Sequence, residues 1–103
     1  MIHVLAFITA KPGKRADILN AFANNVAAVR AEDGCISYEA ALDVPAFGPM
    51  QTPLGPDTFV VVERWASADA LNAHAKSAHM AEYGRTVAPW LEKRAIHVLE
   101  VPR

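Results

Sequence analysis

The sequence is poor in cysteine, and this limits the chemistry that it can perform. Cys35 is the only cysteine among 103 residues, so an internal disulfide is impossible and a cysteine-based metal site would lack its other ligands. A nucleophilic Cys35 would need a base nearby that lowers its pKa, and none is adjacent in sequence. We therefore expect Cys35 to be a buried structural residue.

Clustered charge and long apolar segments are also absent. The formal net charge is -1, and the lysines and arginines are scattered rather than gathered into a stripe, which argues against a nucleic-acid partner. No segment approaches the roughly 20 apolar residues that a membrane helix needs, and the first residues do not have the form of a signal peptide. These absences predict a cytoplasmic protein that binds neither nucleic acid nor membrane.

What the chain does contain is enough apolar content for one compact core. Its 52% hydrophobic content over 103 residues predicts a single domain, 1–103. Four segments have the alternation or the β-branched composition of strands, namely 2–10, 35–43, 57–65 and 94–101. Helical spacing or capping residues mark 14–32, 67–77 and 79–87. The order βαββαβ predicts an α+β fold of the ferredoxin-like type.

Two further features of the pattern are a long loop and an uncovered sheet face. The segment 44–56 holds four prolines and two glycines, which predicts a long irregular loop. The first strand is apolar on both faces, while two amphipathic helices can cover only one face of the sheet. The uncovered face would be too apolar for an isolated monomer, so we expect a homodimer formed through the open sheet face, as a dimeric α+β barrel.

The densest group of functional side chains follows the third predicted strand. That strand ends in Glu63-Arg64-Trp65, and His74 and Ser77-Ala78-His79-Met80 follow it. This pattern resembles the antibiotic biosynthesis monooxygenase family, and Gly34-Cys35-Ile36-Ser37-Tyr38-Glu39 is similar to the segment that enters that family's second strand. The resemblance implies a dimeric α+β barrel with a pocket between sheet and helices. Family activities include cofactor-free oxidation of phenols and quinols, haem degradation and isomerisation of a sugar-phosphate type.

The resemblance can be carried over only at matching positions. Trp65 stands where cofactor-free members place a tryptophan, and Arg85 lies near a helical arginine that they use. Val61 replaces an asparagine of those members, and the first strand lacks the asparagine of the haem-degrading branch. The proline-rich loop resembles the quinol-oxidising subgroup, and this favours quinol chemistry over haem.

The candidate site residues follow from this comparison and from their side-chain chemistry. The predicted catalytic residues are His79, His74 and Trp65. One of the histidines takes the phenolic proton of the substrate, and the tryptophan packs against the substrate ring. The predicted substrate-binding residues are Tyr38, Arg64, Tyr83, Arg85, Phe47 and Met50. The resemblance to cofactor-free members implies that no cofactor is needed. We also expect no metal, since two histidines five residues apart on one uninterrupted helix lie about 140° apart around its axis.

The leading hypothesis is a cofactor-independent monooxygenase that oxidises a small quinol or polyphenol, with molecular oxygen as the second substrate. A dimeric module that binds a small metabolite without turnover is an alternative, motivated by the missing asparagine. An isomerase acting on a small dicarbonyl phosphate is a third reading, which would need a basic phosphate site.

Overall fold

A computed structural model describes residues 1–103. Four strands form one sheet: β1 (Ile2–Ala10), β2 (Cys35–Ala41), β3 (Thr58–Trp65) and β4 (Leu91–Leu99). Three helices complete the fold, α1 (Arg15–Arg30), α2 (Ala68–Ala75) and α3 (Ala78–Val87), and a 3-10 turn at Ala88–Trp90 leads into β4. The strand order is β2-β3-β1-β4 with every neighbouring pair antiparallel. The predicted ferredoxin-like α+β fold is confirmed.

The core lies between one face of the sheet and α1. Alternate residues of β1 and β3 point to the same face because side chains along a strand alternate, and those of the inner face are buried. Ile18, Phe22 and Val29 of α1, spaced to share one side of the helix, bury themselves against this face. The inner-face residues of this core are Val4, Ala6, Ala10, Phe59, Val61 and Trp65.

The opposite face of the sheet has no helix over it. Leu5 pairs with Val62 and Phe7 pairs with Val60 in the register of β1 and β3, and all four side chains are only partly buried. A shallow groove of about 420 Å³ runs along this face, with Leu5 and Val62 among its lining residues. The sheet face on which the dimer prediction depends is therefore apolar and open in the single chain.

Several element boundaries differ from the sequence expectations, and two of the differences have a clear structural reason. Strand β4 begins at Leu91, not at residue 94, because Leu91 pairs with Ala10 directly after the 3-10 turn. Helix α1 ends at Arg30, not at residue 32, so Gly34 lies well outside the helix. Gly34 instead has φ 83° in the turn before β2, where an added Cβ would lie 2.5 Å from the Cβ of Ala70. This glycine is required both by the positive φ and by the close approach of α2.

The proline-rich segment before β3 contains no helix or strand, as predicted. Its ends are joined by Asp43, whose carboxylate accepts hydrogen bonds from the backbone N–H groups of Leu54 at 2.8 Å and Gly55 at 3.0 Å. Those two bonds hold the pKa of Asp43 below its usual range. None of the helices combines the length and the apolar content needed to cross a membrane.

Candidate functional site

A break between α2 and α3 places two histidines side by side. Ser67 caps α2 by accepting a hydrogen bond from the Ala70 N–H at 3.1 Å. After α2 ends, Ser77 adopts an extended conformation, donates to the carbonyl of His74 at 2.8 Å and caps α3. His74 thus lies in the last turn of α2 and His79 in the first turn of α3. The premise that one straight helix separates them was wrong.

Both histidines bind the same carboxylate oxygen. His74 Nδ1 lies 2.8 Å from Glu32 Oε2, and His79 Nε2 lies 2.9 Å from that oxygen. The side chains are 6% exposed for His74, 14% for Glu32 and 31% for His79. An ionised carboxylate only accepts hydrogen bonds, so each ring nitrogen that faces it acts as a donor. The three side chains, called here the Glu32–His74–His79 cluster, form a network that runs from the interior to the surface.

Aromatic rings hold the buried histidine in place. The Trp65 ring lies 4.6 Å from that of His74, and the Tyr38 ring lies 5.5 Å from it edge-on. Trp65 is completely buried, and its Nε1–H donates to Glu63 Oε1 at 2.9 Å. Tyr38 stacks on Phe22 at 5.1 Å. His74 is therefore fixed on three sides, by a carboxylate and by two rings.

Two polar atoms of this otherwise buried region have no hydrogen-bond partner. His74 Nε2 and the Tyr38 hydroxyl have no hydrogen-bond partner in the protein, whereas no fully buried polar side-chain atom lacks one. Both atoms must therefore have some accessible surface. His74 presents one nitrogen to Glu32 and leaves the other available.

Burial controls the ionisation of the groups around the cluster. It raises the pKa of the Glu63 carboxyl, and the hydrogen bond from Trp65 opposes that shift only in part. Burial also raises the pKa of Tyr38 far above its usual range, and that of Tyr83 to about 12. Both hydroxyls remain neutral near neutral pH. Cys35 is only partly buried, not fully as expected, and this partial burial raises the pKa of its thiol, which does not favour a reactive thiolate.

A groove between α1 and α3 lies next to the cluster. Its volume is about 490 Å³, within the usual range for sites that bind small molecules. His79 lines it together with two aromatic rings, and the remaining lining is mainly amides and carboxylates. The lining residues are Asp17, Asn20, Ala21, Asn24, Asn25, His79, Glu82, Tyr83, Thr86 and Trp90.

The structure brings together some of the predicted site residues and separates others. His74, His79, Trp65 and Tyr38 meet around Glu32, and Tyr83 lies beside them in the groove. The others lie elsewhere, and their assignment as substrate contacts stays a prediction. Arg64 points to the open sheet face and donates a hydrogen bond to Ser37. Arg85 is exposed and does not line the groove. Phe47 and Met50 lie on the proline-rich loop, where they are 56% and 83% exposed.

Sequence reasoning missed two carboxylates of this site. Glu63 stands two residues before Trp65 and shares its face of β3, so the strand period contained a signal for it. Glu32 lies 42 positions before His74 and 47 before His79. No local pattern connects it to them.

The fold and the site define the class of protein: a ferredoxin-like α+β protein with a histidine and aromatic site between sheet and helices. The chain belongs to the antibiotic biosynthesis monooxygenase family, whose profile matches residues 1–86. It is 33% identical over 102 residues to "Probable quinol monooxygenase YgiN" of Escherichia coli K12, with 97% of each chain covered. The family and this relative support a monooxygenase-type function.

Solved structures show the same fold along nearly the whole chain. PA3566 from Pseudomonas aeruginosa is 25% identical with a TM-score of 0.81, covering 99% of this chain and 94% of its own. Rv0793 from Mycobacterium tuberculosis is 26% identical with a TM-score of 0.79, covering 99% and 95%. The predicted family resemblance is confirmed.

Proposed function

We propose that this chain is a monooxygenase that oxidises a small quinol or polyphenol with molecular oxygen. The family and the relative described as a quinol monooxygenase support the reaction class. One observation carries the proposal for this chain: His79, hydrogen-bonded to the Glu32 carboxylate, lines a groove that also contains the rings of Tyr83 and Trp90. A proton acceptor beside an aromatic surface is what such a substrate requires.

The groove offers suitable contacts to a hydroxylated ring. Tyr83 and Trp90 supply apolar surface against which an aromatic ring can pack. Asn20 and Asn24 supply amide groups that both donate and accept hydrogen bonds, which suits substrate hydroxyl and carbonyl groups. The lining contains two carboxylates, those of Asp17 and Glu82, and no lysine or arginine. This charge does not favour the phosphate-bearing substrate of an isomerase.

His79 is placed to accept the phenolic proton. Its side chain is 31% exposed, so a ligand in the groove can reach it. The charge that the ring gains on protonation is stabilised by Glu32 Oε2 at 2.9 Å, in the way that a carboxylate stabilises a histidine base in other enzymes. His74 and Trp65 act behind it, since both are buried. His74 positions the Glu32 carboxylate by donating to the same oxygen, and Trp65 packs against His74.

The substrate itself supplies the electrons. Once deprotonated, the quinol transfers one electron to oxygen, and the two radicals combine to form a carbon–oxygen bond at a ring carbon that bears hydrogen. The ring carbon then loses its proton while the O–O bond breaks, releasing the distal oxygen as water and leaving a carbonyl. The sum is quinol plus oxygen giving hydroxyquinone plus water. The protein supplies orientation, partial exclusion of water and the proton acceptor.

Oxygen uptake with a panel of hydroquinones tests this proposal. We expect His79→Ala to lower kcat by about 10²- to 10⁴-fold, the usual contribution of a general base. Lys76→Ala, which truncates an exposed side chain outside the groove lining, is the control and should leave the rate unchanged. Equal rates in all three proteins would remove His79 from the mechanism. Tight binding of a hydroquinone without oxygen uptake would instead identify a binding module.

We also propose that two copies pack through the open sheet face. Leu5, Phe7, Val60 and Val62 form an apolar surface there, of the kind that a soluble protein normally covers. Light scattering of the wild-type chain should give twice 11.1 kDa, and Val62→Lys should shift the mass toward one chain. A well-folded wild-type particle of one chain's mass would refute this.

A further inference from the structure

We propose that the Glu32–His74–His79 cluster is a binding site for a divalent transition metal ion of the zinc type. The three candidate ligand atoms are His74 Nδ1, His79 Nε2 and a carboxylate oxygen of Glu32, and they all lie within 4.8 Å of one another. Two imidazoles and one carboxylate, with a further position left open, are a common protein ligand set for such ions.

The ligand atoms need a moderate adjustment to reach the spacing of a metal site. Zinc binds imidazole nitrogen and carboxylate oxygen at roughly 2.0–2.2 Å, which puts neighbouring ligand atoms of a tetrahedral site roughly 3.3–3.5 Å apart. The two nitrogens now lie 2.8 and 2.9 Å from the carboxylate oxygen. Glu32 stands in the turn after α1, and His79 is 31% exposed in the first turn of α3. The two nitrogens lie within 4.8 Å of each other, so they must also approach by up to about 1.5 Å to reach that spacing. A shift of Glu32 in its turn and a rotation of the partly exposed His79 side chain would supply both changes.

One ligand is already held in position. His74 is fixed by the rings of Trp65 and Tyr38, as metal-binding histidines are usually fixed by their surroundings. The ion would replace the two hydrogens that now lie between the nitrogens and the carboxylate. A neutral ring then carries its hydrogen on the other nitrogen, and His74 Nε2 has no partner in the protein that would oppose this.

The charge around the cluster favours a cation. Glu32 contributes one carboxylate, and the buried Glu63 lies close enough to interact electrostatically with both Glu32 and His74. No arginine or lysine pairs with Glu32. Nitrogen ligands select transition metals over magnesium and calcium, which prefer oxygen. We therefore infer selectivity for zinc over magnesium.

Metal binding has a regulatory consequence that rests on the proposed function. A metal ion bound to His79 Nε2 replaces the hydrogen bond to Glu32 that stabilises the protonated ring, and it adds positive charge beside the same imidazole. The ring is then a poor proton acceptor. Zinc should therefore inhibit the oxidation of quinols.

Calorimetry on chelator-treated protein without a histidine tag tests the site directly. We expect one Zn²⁺ per chain at micromolar concentrations, no heat from Mg²⁺, and visible absorption bands with Co²⁺ that report nitrogen ligands. His79→Ala and Glu32→Gln should each weaken Zn²⁺ binding at least about tenfold, while His97→Gln and Asp33→Asn should bind like wild type. Circular dichroism establishes that every variant is folded. No zinc binding by the wild type, or equal binding by His79→Ala, would overturn the site.

Activity measurements separate this inference from the proposed function. If zinc binds with the expected variant pattern and no hydroquinone is oxidised, the metal site stands and the proposed oxidation fails. If hydroquinones are oxidised and zinc does not bind, the proposed oxidation stands and the metal site fails. If zinc binds and oxygen uptake continues unchanged, the inhibitory role is refuted.

Discussion

The substitution Glu32→Gln tests the central feature of the site, because one carboxylate oxygen accepts a hydrogen bond from each of two histidines. Glutamine keeps the shape and an acceptor oxygen but removes the charge. A hydrogen bond to a charged group contributes about 1.5–3 kcal/mol, against about 0.5–1.5 kcal/mol for a neutral one. The loss is therefore about 1 kcal/mol for each bond.

Partial exposure reduces the total below the sum of the two bonds. Glu32 is 14% and His79 31% exposed, so solvent screens the outer bond and we expect a loss of about 1–2 kcal/mol in the free energy of unfolding. For a chain of this size, that corresponds to a fall in Tm of roughly 4–15 °C. Urea denaturation followed by circular dichroism measures the free energy.

A double-mutant cycle with His79→Ala isolates the interaction itself. The coupling energy between the two substitutions should be at least about 0.5 kcal/mol, as for residues in direct contact. Asp33→Asn, which removes an exposed carboxylate next along the chain, is the control and should change stability by less than about 0.5 kcal/mol. A Glu32→Gln protein as stable as that control, with no coupling to His79, would show that the shared hydrogen bonds do not form.

Three further substitutions test other parts of the structure. Burial raises the pKa of Glu63, so the stability this group contributes at low pH is lost as the pH rises through its folded pKa. Glu63→Gln should raise Tm by a few degrees near neutral pH and leave it unchanged in acid. Thermal melts at several pH values measure this, and a gain in Tm that did not vary with pH would contradict the prediction. Gly34→Ala should cost about 1–3 kcal/mol in urea denaturation, because the positive φ and the Cβ of Ala70 both oppose it. Asp43→Asn should leave Tm nearly unchanged but speed amide hydrogen exchange at Leu54 and Gly55, since the acceptor of their hydrogen bonds loses its charge. In the wild type, the same protection is lost as the pH falls through the depressed pKa of Asp43. Unaltered exchange in the variant would show that Asp43 does not protect these two amides.

The two proposals for the cluster make different demands on His79. As a base, it needs a ligand in the groove and a carboxylate behind it. As a metal ligand, it needs only Glu32 and His74. The same hydrogen-bond geometry satisfies both, because a carboxylate that accepts from two imidazoles already holds three ligand atoms close together. Zinc binding at His79 and acceptance of the quinol proton by the same ring should therefore exclude one another.

The sequence by itself determined the elements and their order. The β-branched composition of 2–10, the alternation of 35–43 and the helical spacing of 14–32 each depend on contacts between near neighbours, and the βαββαβ order then leaves few possible sheets. Serine caps and turn glycines are local for the same reason. The residues from Glu63 to Met80 were enough to indicate the family.

Only the tertiary structure decided which side chains meet. The break at Ser77 turned His74 and His79 toward one another, against the expectation from a continuous helix, and the packing of α1 against the sheet brought Glu32 to them across more than 40 positions. Strand alternation already puts Arg64 and Trp65 on opposite faces, but only the tertiary structure decided that the face of Arg64 is the open one. Neighbouring residues on a strand point to opposite faces, whereas residues far apart in the chain are brought together only by burial of the core.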